Sequence, residues 1–289
     1  MPTIIDAWAE KCLADQHLGD AAHDREVIET LRALLKRRIS PQQAAASLAA
    51  AYDPLIRSGE TSTANLWGIY CAAIAALGHD QSNLDPLVQT LLCVGRLPDV
   101  VDDDGRLVVT ENGSVFWREV PGFPFWLSRG PASNPRQRTK STASINAAAF
   151  GSQYLRALDD RDHGHGHGGP RTGMLAVAHA TLADALGRGD FDPAESDAWE
   201  CARASLPLAA TWILTAGRSI YRAARDGWPD GSGGRGVPLG LEVWGLWRER
   251  FGELARLDGG RLGVGRCAGE AVGEMGKIEE EEAGGGGEG

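Results

Sequence analysis

The sequence has no long hydrophobic run and no excess of positive charge. Its longest uncharged apolar stretch covers residues 66–77, which is 12 residues, whereas a membrane-spanning helix needs roughly 20. The formal net charge is −10 at pH 7 over 289 residues. Nucleic-acid-binding domains use a basic surface for much of their affinity, and anionic membranes repel acidic chains. We therefore expect neither a nucleic acid nor a membrane as a partner.

Cysteine is scarce, and the N-terminus carries no signal for export. The five cysteines are odd in number and widely spaced, at positions 12, 71, 93, 201 and 267, which argues against a disulfide framework. The first eleven residues mix acidic and basic side chains and lack the apolar core of a signal peptide. We expect a cytoplasmic protein with reduced thiols.

Recognisable catalytic and cofactor motifs are missing as well. The chain contains no H-E-x-x-H metal motif, P-loop, nucleophile elbow or kinase signature. Residues 231–236 match G-x-G-x-x-G, but a helical pattern rather than a strand precedes them, so we interpret them as a linker. The sequence predicts no cofactor and favours a non-catalytic protein.

Helical periodicity dominates what is present. Ser40-Pro41-Gln42-Gln43 is typical of a helix start, because serine and glutamine can form a capping box and proline suits the first turn. A helix is predicted over 193–225, and Pro207 should kink or divide it. Together the patterns predict an all-α fold: one irregular array of about nine or ten helices over residues 1–278, followed by a disordered Glu/Gly-rich tail over 279–289.

The segment from residue 98 to about residue 138 lacks this periodicity. Turn signals at 102–105 and 112–113 predict either a small β-hairpin or an irregular loop over 100–118. Four prolines predict a loop over 121–138 that carries Phe125 and Trp126. Exposed aromatic side chains are frequent in binding hot spots, so Trp126 is the tryptophan that we connect first with function.

Most of the nine tryptophans follow helical spacing instead. Trp244 and Trp247 repeat with Phe251 on one helix face, and Trp212 lies on another such face, which is typical of a helical core. The alternative is that some indoles line an apolar pocket between helices. The candidate binding residues are Trp126, Asn146, Trp212, Arg218, Tyr221, Trp244 and Trp247.

A histidine-rich insertion offers the one motif that resembles a metal site. His163, His165 and His167 alternate with glycine, and neutral imidazole is a good ligand for zinc, nickel or copper. The surrounding glycines fix neither the ligand geometry nor the supporting hydrogen bonds that a metal site needs. We favour a surface insertion and keep metal binding as an alternative.

Five landmarks in this order resemble a fungal family catalogued as domain of unknown function 3632. They are residues 97–100, 116–123, 144–150, 209–217 and 244–251, and the resemblance covers about residues 40–280. The chain departs from the family pattern at Val243, where arginine is expected. The resemblance implies an intracellular, all-helical protein that is often encoded near specialised-metabolism genes, and it implies no established activity.

These observations predict a non-catalytic intracellular accessory protein that binds a partner protein or an apolar small molecule, and the family resemblance implies a link to fungal specialised metabolism. One alternative is an enzyme with an interhelical pocket around Asn146, Trp212 and Arg218. The other alternative is metal binding through residues 163–167.

Overall fold

The fold is built from helices throughout the part of the chain that the computed structural model describes. This part comprises residues 3–15, 21–59, 63–111, 113–129, 142–160, 169–187, 196–228, 238–257 and 263–284. Its helices are α1 (Ile4–Ala14), α2 (Ala22–Leu35), α3 (Pro41–Arg57), α4 (Ala64–Leu77), α5 (Gln81–Val94), α6 (Phe116–Glu119), α7 (Phe123–Arg129), α8 (Thr142–Asp159), α9 (Pro170–Leu186), α10 (Ser196–Arg225), α11 (Leu241–Leu257) and α12 (Val264–Gly284).

The predicted all-α class is confirmed, and the predicted helix number is close. Over the described ranges there are twelve helices, of which α6 and α7 have only four and seven residues, and pairing between extended segments is confined to isolated bridges. Within the same ranges, no helix is both long enough and apolar enough to cross a membrane.

Contacts divide the described chain into two compact units. The first unit contains α1 to α7 and α8 as far as Phe150, and the second contains α8 from Gly151 onward together with most of α9 and all of α10 to α12. The sequence contains no signal for this division. The assignment of residues 1–278 to a single domain stays a prediction.

The core of the first unit is an aromatic cluster. The rings of Trp67 and Tyr70 on α4 meet Phe123 of α7 edge-to-face, with centroid distances of 5.4 and 6.0 Å. Phe150 of α8 lies 5.8 Å from Phe123. Buried aromatic side chains each cover about 150–250 Å² and favour such edge-to-face contacts. The cluster therefore fixes α4 against α7 and α8.

Among the described residues of 100–129, one prediction is wrong, and the choice between a β-hairpin and an irregular loop is decided. The described residues of 100–115 form an irregular segment with two isolated antiparallel bridges, Val101 to Leu107 and Val109 to Val115, and residues 116–118 belong to helix α6. The predicted loop over 121–138 is wrong for 123–129, which form helix α7. Pro124 occupies the first turn of α7, where backbone N–H groups have no intrahelical acceptor, so proline does not interrupt the helix. The remaining residues, 130–138, lie outside the described residues.

In the second unit, α12 packs along both α10 and α11. A small residue makes the approach to α10 close: a Cβ atom added to Gly217 would lie 2.8 Å from Cδ1 of Ile278. The kink predicted at Pro207 is found instead at Ala216, whose φ and ψ are −124° and 16°. The bend coincides with the contact between Gly217 and Ile278, so we attribute its position to packing rather than to the proline.

The predicted disorder over 279–289 is wrong for residues 279–284. Helix α12 continues to Gly284, and three of the glutamates within residues 279–284 form ion pairs with neighbouring helices. Glu279 pairs with Arg248 of α11, while Glu281 and Glu282 pair with arginines of α10. These arginines neutralise a glutamate run whose charges would otherwise repel one another. Residues 285–289 lie outside the described residues.

Candidate functional site

The first unit contains an apolar cleft of about 740 Å³. Ligand pockets in proteins commonly have volumes of about 300–1,000 Å³, so the cleft has the size of a small-molecule site. Its lining comes from α1, α4, α7 and the start of α8: Ile4, Ala7, Trp8, Lys11, Cys12, Asp15, Gly68, Cys71, Ala72, Ala75, Ala76, Leu77, Trp126 and Ala143.

Small residues on one face of α4 form the floor of the cleft. Gly68, Ala72, Ala75 and Ala76 recur at i, i+4, i+7 and i+8, so they share one side of the helix. The opposite side carries Tyr70 and other large residues of the buried core. Because no floor residue extends beyond a methyl group, the helix surface is set back, and space opens above it.

Two tryptophans line this floor from neighbouring elements. Trp8 of α1 is only 5% exposed, and its indole Nε1 has no hydrogen-bond partner among the described residues. Trp126 of α7 is partly exposed. Indole rings combine a large apolar surface with one N–H donor. The cleft can therefore offer aromatic contact area to a bound molecule.

Other buried tryptophans contrast with Trp8. The Nε1 atoms of Trp67 and Trp117 donate to the carbonyl oxygen of Pro121 and to Oδ1 of Asp53, each at 2.8 Å. The Nε1 atom of Trp244 donates to Oε1 of Glu279 at 2.8 Å. Buried polar atoms in proteins are almost always paired. The unpaired indole N–H of Trp8 is therefore an exception that requires an explanation.

The two thiols of the cleft are unsuited to nucleophilic chemistry. Burial, together with the charge of Asp15, raises the pKa of Cys12 to about 11, and burial also raises the pKa of Cys71. The thiolate is the reactive form of cysteine, so both side chains are protonated at neutral pH and act as small apolar groups. The charged residues of the lining, Lys11 and Asp15, are both exposed.

Of the predicted site residues, Trp126 lines the cleft. Asn146 does not line it but bonds to the backbone of α4, the helix that forms its floor. Asn146 is 2% exposed, and its Nδ2 atom donates to the carbonyl oxygen of Ala75 at 2.9 Å. This bond ties α8 to the helix that forms the floor. The amide of Asn146 is therefore engaged in holding the fold together. Trp126 lies on helix α7, which corrects its predicted place in a loop.

The other predicted site residues belong to the second unit. Trp212, Trp244 and Trp247 are at most 2% exposed, as core residues are. Tyr221 packs edge-to-face against Trp244 at 5.2 Å, and Arg218 forms an ion pair with Glu281. A cleft of about 730 Å³ adjoins Tyr221 and Trp244, but polar groups in its lining, Arg248 and Glu279, already pair with each other.

The proposed metal ligands His163, His165 and His167 lie outside the described residues. Among the residues that are described, no group of three or more histidine, cysteine, aspartate and glutamate side chains could hold a metal ion.

Comparison with known sequences places the chain in a family. The sequence model of the family described as "Protein of unknown function (DUF3632)" matches residues 67–251. The chain belongs to the DUF3632 family. No curated protein and no solved structure matches it. Within this DUF3632 protein, the matched region includes the floor of the cleft from Gly68 onward and Trp126, whereas α1 with Trp8 precedes that region.

Sequence reasoning missed the floor of the cleft and Trp8. The apolar stretch over 66–77 predicts a buried helix, and its alternation of large and small faces was the available signal. Local periodicity does not reveal which helix packs against which face. It could not predict that the small face of α4 is left open between α1 and α7.

Proposed function

We propose that this DUF3632 protein is a non-catalytic accessory protein that binds an apolar small molecule in the cleft of its first unit. One observation carries the proposal: the small floor of α4 adjoins two tryptophans in a space of about 740 Å³. Removing apolar surface from water contributes roughly 25 cal/mol per Å². A ligand of drug size therefore gains several kcal/mol from burial against this lining.

The chemistry of the lining favours binding over conversion of the ligand. Enzymes place titratable groups with shifted pKa values next to the reacting atoms. In this cleft the two thiols are held protonated, and Lys11 and Asp15 are exposed. The link of the family to fungal specialised metabolism is part of the proposal, and hydrophobic metabolites are the ligands to test first.

A partner protein is the second candidate, and the exposure of Phe125 supports it. The Phe125 side chain is 50% exposed, packs edge-to-face against Trp126 at 6.1 Å and lies under the guanidinium of Arg129 at 4.3 Å. An exposed aromatic next to an arginine is a common interface feature. Phe125 does not line the cleft, so the substitution Phe125→Ala separates the two candidates.

Titration with the neutral dye Nile red tests the binding proposal. We expect saturable one-to-one fluorescence enhancement with the intact chain. Ala72→Phe places a ring above the floor and should weaken binding at least tenfold, whereas Ala46→Phe, at an exposed position of α3, should leave the affinity unchanged. Trp126→Ala should weaken binding roughly tenfold, because an aromatic wall is lost.

Two results would exclude the cleft as the binding site. If Ala72→Phe folds with an unchanged thermal melt and still binds the dye like the unaltered chain, the cleft is not the binding site. If Phe125→Ala reduces dye binding while Ala72→Phe does not, the exposed aromatic surface is the site instead.

A further inference from the structure

The charged side chains of the cleft lining, Lys11 and Asp15, both lie at the C-terminal end of α1. We propose that the ligand is an uncharged amphipathic molecule, with an apolar body that lies along α1 and α4 and one terminal head group at Lys11 and Asp15. This head group, such as a hydroxyl or a carboxamide, both donates and accepts hydrogen bonds. The inference rests on the proposed small-molecule function of the cleft and deepens it.

The lining follows one face of α1 along the whole length of the helix. Its members recur at i, i+3, i+4, i+7, i+8 and i+11: Ile4, Ala7, Trp8, Lys11, Cys12 and Asp15. This spacing keeps one side of the helix toward the cleft. A rise of about 1.5 Å per residue makes this face roughly 16 Å long. The first half of the face is apolar, and both charges belong to the second half, so a long ligand meets two different environments.

The floor of the cleft requires an apolar body. The α4 residues of the lining are Gly68, Cys71, Ala72, Ala75, Ala76 and Leu77. Their side chains offer no strong hydrogen-bonding group, since burial raises the pKa of the Cys71 thiol and keeps it protonated. A polar group placed on this floor would lose its hydration without gaining a side-chain partner from α4. The part of the ligand that covers α4 is therefore apolar.

The two charges favour a head group that is polar but uncharged. Lys11 and Asp15 are opposite in sign, four residues apart and both exposed. Both charges act on Cys12, which lines the same cleft: Asp15 raises the pKa of its thiol, and Lys11 lowers it. A carboxylate at this end would be repelled by Asp15, and an ammonium group would be repelled by Lys11. A hydroxyl or carboxamide can accept from the Lys11 ammonium and donate to the Asp15 carboxylate.

Three probes with the same naphthalene body test the inference by displacement of Nile red: naphthylmethanol, ethylnaphthalene and naphthoate. Each is measured with the unaltered chain, with Lys11→Met and with Asp15→Ala. The control is Glu10→Gln, at an exposed position of α1 that does not line the cleft. Circular dichroism melts establish that each variant folds.

We expect Lys11→Met and Asp15→Ala each to weaken naphthylmethanol about two- to fivefold and to leave ethylnaphthalene unchanged, because one exposed hydrogen bond of the head group is lost. Naphthoate should bind the unaltered chain at least tenfold more weakly than naphthylmethanol. Its affinity should fall in Lys11→Met and rise in Asp15→Ala, because the two variants remove charges of opposite sign. Glu10→Gln should leave the ratios between the probes unchanged.

Two results would overturn the inference while sparing the proposed function. In the first, Lys11→Met and Asp15→Ala change the affinities for naphthylmethanol and ethylnaphthalene by the same factor, which places the hydroxyl away from these residues. In the second, naphthoate binds the unaltered chain as tightly as naphthylmethanol does. Failure of the proposed function looks different: no probe displaces the dye, and Ala72→Phe has no effect on dye binding.

Discussion

The tryptophans of this chain differ in what their indole nitrogens contact. Trp67, Trp117 and Trp244 donate to acceptors on other segments and connect those segments, whereas Trp8 lines a cleft without an acceptor among the described residues. Burial alone does not distinguish these roles, because Trp8 and Trp117 are both at most 5% exposed. The hydrogen bond of the indole Nε1–H distinguishes the two roles, because Trp117 has an acceptor and Trp8 has none among the described residues.

This difference predicts unequal costs for the same substitution. Trp117→Phe removes the hydrogen bond to Asp53 and should lower the free energy of unfolding by about 1–3 kcal/mol. Trp8→Phe removes no hydrogen bond within the described chain and should cost less than Trp117→Phe. Urea denaturation monitored by circular dichroism measures both. Equal costs would contradict the assignment of separate roles.

The lowered pKa of Asp6 predicts how the free energy of unfolding depends on pH. Its carboxylate accepts hydrogen bonds from Lys36, the residue after α2, from Arg32 of α2 and from Thr3, and these bonds lower the pKa of Asp6 well below its usual range. A carboxylate with a lowered pKa in the folded state stabilises the fold above its unfolded pKa of about 3.9. This contribution decreases as the pH falls below that value toward the folded pKa.

Asp6→Asn should therefore destabilise the chain at pH 7 and flatten the dependence of the unfolding free energy on pH below about pH 4. Thermal melts across this range test the expectation. Asp103→Asn is the control, because Asp103 is exposed and should leave the pH profile unchanged. A profile that is the same in Asp6→Asn as in the unaltered chain would rule out this role of Asp6.

At the scale of helices, local sequence signals predict where a helix begins more accurately than where it ends or bends. The capping box at Ser40 is present: Gln43 N donates to Oγ of Ser40 at 3.2 Å, and Ser40 N donates to Oε1 of Gln43 at 2.8 Å. Such signals lie within four residues, so the sequence contains them in full.

The predictions that failed depend on partners distant in sequence. The bend of α10 lies at Ala216 beside the contact with Ile278, and the extension of α12 to Gly284 accompanies ion pairs with arginines of α10 and α11. A proline or a glutamate run has only a local preference, and tertiary contacts override it. This is why Pro207 and residues 279–284 were misassigned.

The contact between α10 and α12 yields a prediction for Gly217. Gly217→Val should destabilise the chain by about 1–3 kcal/mol, because its side chain meets Cδ1 of Ile278 in a packed core. Shortening the neighbour in the double variant Gly217→Val with Ile278→Val should recover part of this loss. Chemical denaturation of the single and double variants measures the coupling. Strictly additive effects would show that the contact does not determine the packing.

At the scale of the whole molecule, the cleft combines distant parts of the chain. Its lining runs from Ile4 through α4 to Trp126 and Ala143, and the family match begins only at residue 67. Composition and periodicity were enough to predict the all-α class, because they are properties of each segment. The cleft and the division into two units depend on helix pairing, which a single sequence does not specify.

The ion pairs of α1 should therefore affect the site as well as stability. Asp6 anchors α1 to Arg32 of α2 and to Lys36, the residue after α2, and α1 carries Trp8. Asp6→Lys should repel α2 and weaken Nile red binding severalfold, whereas Glu10→Lys, at a more exposed position that also contacts Arg32, should have a smaller effect. Fluorescence titration at neutral pH compares the two. Equal affinities of the two variants for Nile red would show that the ion pairs of Asp6 do not affect the site.

A crystal structure of the chain with Nile red tests the central claim most directly. We expect ligand density in the cleft of the first unit, next to the floor of α4 and the side chains of Trp8 and Trp126. Density for the dye only at another surface, with this cleft empty, would contradict the proposed function.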